Sequence, residues 1–254
     1  MTRFIVVASG KGGVGKTTIA ANLAVALANF GKRVAVIDAD VVMANLEIIM
    51  GLRNPPVALI DVLGGRLKLE DVMYEGPAGV KIIPAGITLD GFNEQNMEML
   101  KAALREIPRD IDILVVDAPA GRDAAMVMDD GQEVLIVTLP QVSSVSDALK
   151  MKILAEKMGA KVIGGIMNMV GGKKRELSRM EIENTLDTNI VSIVPYDEKV
   201  DEALAYEMPF VERFPNSKPS REVMRLAANL LGREHVPEEK SLLGWITDIM
   251  KFKR

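Results

Sequence analysis

A chain of 254 residues that is 48% apolar can fill one large α/β core, and only 4% aromatic content leaves that core to Val, Ile, Leu, Met and Ala. It has no cysteine and a single histidine, His235, which removes disulfides, cysteine-bound zinc and iron–sulfur clusters and argues against a histidine-built metal site or triad. Its 31 basic and 35 acidic residues give a net charge of −4, which argues against nucleic-acid binding by the whole surface.

In chain order, the apolar run at 4–8 predicts a strand buried on both faces. The next residues read Gly10-Lys11-Gly12-Gly13-Val14-Gly15-Lys16-Thr17, the pattern G-x-x-x-x-G-K-T with an extra lysine after the first glycine. A helical pattern follows over 17–30, with Gly31 where a helix C-terminal glycine is expected. Strand, glycine loop and helix in this order make a phosphate cradle. The glycines let successive N–H groups point inward, and the helix adds the positive end of its dipole. Lys16 is expected to reach the β- and γ-phosphates and the Thr17 hydroxyl to ligate Mg²⁺, with Thr18 completing the nucleotide-binding stretch.

A second strand at 33–38 ends in Asp38-Ala39-Asp40, with Asn45 five residues on. A strand at 80–84, a helix at 95–106 and a strand at 113–117 follow, the last ending in Asp117 before Ala118-Pro119-Ala120-Gly121. Strands at 133–138, 161–167 and 190–194 then alternate with helices at 145–158, 174–185 and 218–231. The strand runs are apolar throughout rather than alternating, so the expected fold is α/β, a mostly parallel central sheet of about seven to eight strands with helices on both faces. Carboxylates at the C-terminal ends of such strands line the ligand crevice. Asp117 is therefore a candidate on the Mg²⁺ side, and Asp38 or Asp40 a candidate for orienting the attacking water; Thr17, Asp40 and Asp117 are the candidate metal residues.

The first residues carry no basic leader and no apolar run reaches the ~20 residues of a membrane span, so the expected location is the cytoplasm. A polar break at 232–240, containing Pro237, sets a domain at 1–231 apart from a tail at 241–254. On a helical wheel, Leu242, Leu243, Trp245, Ile246, Ile249, Met250 and Phe252 gather on one half of the tail, and Gly244, Thr247, Asp248 and Lys251 take the other. The one tryptophan of the chain and a basic end, Lys251, Lys253 and Arg254, complete the description of an interfacial membrane helix. A last helix packed on the domain is the competing reading.

The loop with its extra lysine, D-x-D-x-x-x-x-N at 38–45 and D-x-P-A-G at 117–121 resemble the MinD/ParA superfamily of deviant P-loop ATPases, over residues 3 to 231. The segments 43–46 and 140–147 look more like the MinD branch. The resemblance implies ATP and Mg²⁺ as ligands, and an ATP-dependent homodimer in which Lys11 reaches the partner's phosphates. It implies that Asp40 assists the hydrolytic water, that Asn45 lies on the same switch, and that Asp117 with 119–121 forms a second switch. Asn168 resembles the family's adenine-reading asparagine, and the turn from Pro195 to Asp197 would close over the base. Met169 stands where many relatives have an arginine. The branch also implies membrane targeting by the tail, protein activators or inhibitors of the Min type, and a role in positioning the division site or other cellular structures. A ParA-like ATPase that binds DNA non-specifically through Lys173-Lys174-Arg175 is the alternative.

Overall fold

The computed structural model describes residues 2–86, 94–171 and 175–233, the side chains of 94–97 excepted. The tail, most of the polar break, His235, Lys173 and Lys174 lie outside the described residues. Eight strands form one sheet: β1 (Arg3–Ser9), β2 (Val34–Asp38), β3 (Tyr74–Glu75), β4 (Lys81–Ile83), β5 (Ile113–Ala120), β6 (Glu133–Thr138), β7 (Lys161–Val170) and β8 (Ile190–Pro195). Their order across the sheet is β3-β4-β2-β5-β1-β6-β7-β8. Every pairing is parallel except β3 with β4.

The continuous apolar runs have a direct cause. Successive side chains of a strand point to opposite faces, and both faces here are covered. Val6 and Ala8 of β1 enter one core while Ile5 and Val7 enter the other. The first core packs under α3 (Leu59–Leu63), α4 (Glu94–Arg105), α5 (Val142–Lys157) and α6 (Arg179–Leu186). The second packs under α1 (Lys16–Asn29), α2 (Leu46–Ile49), α7 (Glu198–Ala205), α8 (Phe210–Arg213) and α9 (Lys218–Leu230).

Local signals set the helix ends. Gly31 sits at φ +79° and its N–H reaches Ala28 O, closing α1 as expected of a C-terminal glycine. The helix expected at 174–185 starts only at Arg179. Ser178 is its cap: Ser178 Oγ accepts from Glu181 N, and the Glu181 carboxylate takes Ser178 N at 2.8 Å. The helix expected from 145 starts earlier, at Val142, because Ser144 Oγ accepts from Leu139 N at 3.0 Å and bonds Thr138 Oγ1 at 2.9 Å, fastening its first turn to β6. Strand β3 and helices α2, α3, α7 and α8 were not expected, and all are short. Among the described residues no helix is long and apolar enough to cross a membrane.

One buried polar side chain joins the first helix to the last third of the chain. Asn22 in α1 is fully buried; its Nδ2 donates to Thr18 O and its Oδ1 accepts Val211 N at 2.9 Å. Asn22→Leu leaves the Val211 N–H buried without an acceptor, at a cost of about 1–3 kcal/mol. Urea unfolding should show that loss with an unchanged m-value, and a neutral result would mean that α8 finds another partner.

Candidate nucleotide site

The glycine loop leaves β1 at Ser9 and enters α1 at Lys16, with Gly15 at φ +85° as the helix cap. Two glycines are required by contact. A Cβ on Gly10 would stand 2.1 Å from the Asp147 carbonyl oxygen of α5, and one on Gly15 would stand 2.3 Å from Asn168 Nδ2. Gly13 has open space but a φ of +76°, which L-residues rarely adopt. Val14 is buried and anchors the loop, whereas Lys11, Gly12 and Gly13 are exposed at its tip. The first turn of α1 carries no acidic residue, so nothing there competes with an anion for the helix N-terminus.

Behind the loop, Lys16 Nζ lies 2.7 Å from Asp117 Oδ1 and 3.5 Å from Thr17 Oγ1. The Lys16 and Asp117 side chains are 8% and 1% exposed. Asp117 belongs to β5, between β1 and β2, where it pairs in register with Val7 and Asp38. Burial pushes its pKa up; the Lys16 charge and hydrogen bond, with the Thr17 hydroxyl nearby, pull the other way, and the Asp40 charge raises it again. Its second oxygen, Oδ2, is buried with no hydrogen-bond partner. Among the described residues no group of three or more His, Cys, Asp or Glu could cage a metal. A hydroxyl beside one carboxylate with an unused oxygen nevertheless suits Mg²⁺, which keeps several waters and takes its other oxygens from substrate phosphates.

The two aspartates at the end of β2 and just after it differ in their surroundings. Asp38 is 1% exposed; its Oδ1 accepts Asp40 N, and its Oδ2 accepts Asn45 N and Leu46 N, at 2.9, 3.0 and 3.1 Å. Burial first, and then the charge of Asp117, push its pKa up to about 8 against those three donors. Asp38 is thus a fixed anchor for the loop 39–46, with both carboxylate oxygens already accepting backbone N–H groups. Asp40 is half-buried, its Oδ1 accepts Met43 N at 3.0 Å, and Asn45 Nδ2 donates to Met43 O at 2.8 Å. The tip of this loop, Val42 and Met43, is exposed.

Asn168, at the end of β7, donates Nδ2 to Val14 O at 2.8 Å and so touches the loop itself. Beside it opens a pocket lined by Gly15, Thr18, Ile19, Asn168, Met169 and Pro195, continued by Val194, Tyr196, Asp197, Val200, Asp201, Leu204 and Phe210. Met169 adopts φ +54°, and its methyl lies over Gly15. The α7 and α8 part of this lining was not expected. Its signal was available as Asp197, a helix-capping residue, followed by Val200, Asp201 and Leu204 at helical spacing.

The structure therefore gathers the loop, Lys16, Thr17, Asp40, Asn45, Asp117, Asn168 and Pro195 at the C-terminal edge of the sheet, where parallel α/β proteins bind ligands. A glycine cradle opening a helix, with a buried lysine and a strand-end carboxylate behind it, defines a P-loop nucleotide-binding protein. Residues 5–210 match the family model described as the CobQ/CobB/MinD/ParA nucleotide binding domain. An ATP-binding protein of Methanocaldococcus jannaschii is 44% identical over 238 residues, covering 93% of this chain and 90% of its own. The antiactivator FleN of Pseudomonas aeruginosa is 36% identical over 230 residues, covering 85% and 81%. The cell division ATPase MinD of Pyrococcus furiosus has a similar structure, with a TM-score of 0.84 at 32% identity over 91% of this chain and 99% of its own. The septum site-determining protein MinD of Pyrococcus horikoshii, solved in complex with Mg-ADP, has a TM-score of 0.80 at 31% identity over 91% and 96%. The chain belongs to the MinD/ParA family and is an ATPase of the MinD type.

Removing the lysine tests the buried pair. The Asp117 pKa lies above its unfolded value, so its protonated form adds stability below pH ~4 that is lost as the pH rises to the folded pKa. Lys16→Ala raises that pKa further and carries the loss to higher pH. Urea unfolding should show a deficit that grows as the pH is raised above the ordinary carboxylate range. A deficit of equal size at every pH would mean that Lys16 only fills space.

Proposed function

We propose that the protein is an ATP-driven switch: ATP with Mg²⁺ occupies the loop, two chains dimerise over their nucleotides, the dimer holds a membrane through residues 241–254, and hydrolysis releases it. The observation that carries the reading is the buried Lys16–Asp117 pair. A triphosphate on the N-terminus of α1 supplies Lys16 with a stronger partner. Asp117 is then freed to face Thr17, and the turn after β5 registers the change. Thr17 and Asp117 would hold Mg²⁺, and the ion would offset the phosphate charge. Asp40, fixed through Asp38, orients the attacking water, and Asn45 moves with it. Asn168 and Pro195 hold the base. Lys11, exposed at the loop tip, reaches the phosphates of a second copy. Its ammonium offsets charge in the transition state and makes ATP part of the dimer interface.

The output rests on the tail. A helix of that length is marginal in water and folds on lipid, and two tails in one dimer gain from effective concentration. The MinD relatives point to placing the division site or another cellular structure, with a Min-type activator or inhibitor as protein partner. The FleN relative points to a protein target instead, acted on by the same switch. A ParA-like DNA output is disfavoured by the net charge of −4.

Vesicle flotation with ATP separates these outcomes. The full chain should float with anionic vesicles only in the presence of ATP; Ile246→Glu and deletion of 241–254 should abolish flotation while ATP binding persists. Lys11→Ala should bind ATP as a monomer, and Asp40→Ala should accumulate as the ATP dimer, both read by sedimentation. Full-length protein that ignores vesicles but retards DNA would hand the assignment to the ParA reading.

A further inference from the structure

The pocket beside Asn168 has one wall made by α7 and its cap, and the residues there are Asp197, the cap, with Val200, Asp201 and Leu204, one stripe at helical spacing. Two of the four are carboxylates, and one is already committed: Asp197 Oδ1 accepts Lys199 N at 3.0 Å as the helix cap. The neighbouring cation, Lys199, sits over the Phe214 ring at 5.9 Å. Asp201 is exposed at the pocket mouth, and among the described residues no ion pair or hydrogen bond engages its carboxylate. The pocket lining is apolar at Met169, Val194 and Phe210, the last two buried, which suits a base, and its buried polar group is Asn168, whose Oδ1 is left to accept once Nδ2 is given to Val14. Thr18, in the first turn of α1, marks the end of the pocket nearest the phosphates.

We propose that Asp201 holds the ribose diol of the bound nucleotide and makes the site selective for ribonucleotides over deoxyribonucleotides. A sugar joins the phosphates to the base and is the polar part of the ligand, so it belongs at the wet mouth between Thr18 and the apolar interior. A carboxylate accepts only, and two adjacent hydroxyls offer it two donors; an acidic residue meeting a ribose hydroxyl is a recurrent solution in nucleotide-binding α/β folds. The inference rests on the ATP reading above.

The test uses the full chain with Mg²⁺, titrated with ATP, 2′-deoxy-ATP and the triphosphate of purine riboside, which lacks the amino group of adenine. Wild type should bind deoxy-ATP on the order of tenfold more weakly than ATP. Asp201→Ala should weaken ATP by more than it weakens deoxy-ATP, which offers the carboxylate only its 3′-hydroxyl, and so bring the two to nearly equal binding, and Asp201→Asn should fall between. Asp201 is exposed, so the melting temperature without nucleotide should not move. Equal binding of ATP and deoxy-ATP by wild type overturns the proposal. So does an Asp201→Ala variant that weakens both equally, or one that changes the ATP to purine-riboside preference instead. If wild type binds none of the three and matches Lys16→Ala, the nucleotide reading itself has failed, an outcome distinct from lost sugar selectivity.

Discussion

The buried ion pair of Lys16 and Asp117 is the constraint around which the active edge is built. Two opposite charges are held out of water between α1 and the middle of the sheet, an arrangement whose desolvation cost rivals its attraction. The glycine loop must curl closely enough to deliver Lys16 there, which is why Gly10 and Gly15 abut Asp147 and Asn168. The pair is also incomplete, since Asp117 keeps one buried oxygen without a donor. A site that leaves a carboxylate half-satisfied is ready for a ligand that rearranges it, and the triphosphate with its cation is the ligand that the cradle selects.

Around the pair, the sheet separates fixed parts from movable ones. Asp38 ties three backbone N–H groups of the following loop to the end of β2, so the loop has a rigid root. Its tip is different: Val42 and Met43 are 59% and 71% exposed, an apolar surface beside the loop root. Asn168 is fixed in the same way as Asp38, because its amide supports Val14. Rigid roots with an open tip suit the proposed switch, in which the chemistry stays in place while the loop tip changes.

The phosphate loop was legible because its requirements are local: strand, glycines, lysine and helix follow one another, and each is visible in the residue string. The sheet was legible for the same reason, since strands buried on both faces are apolar throughout. What was not legible depends on long-range contact. Asp38 and Asp40 are equivalent in sequence, and only the fold shows that one is buried under three donors while the other borders the cleft. Strand β3 has two residues and α2 and α8 four each, too short for a period to show. Helix α7 was readable from its Asp197 cap and its apolar spacing, and Ser178 with Glu181 spelled the true start of α6.

The exchange at Lys16 is tested most directly by the crystal structure of the protein with Mg²⁺ and a non-hydrolysable ATP analogue. The expected result is Lys16 Nζ at hydrogen-bond distance from a phosphate oxygen, no longer at the 2.7 Å it now keeps from Asp117, with the Asp117 carboxylate turned towards Thr17. A bound analogue that leaves the Lys16–Asp117 pair intact, with its phosphates held by other groups, would contradict the exchange and remove the link between nucleotide and switch.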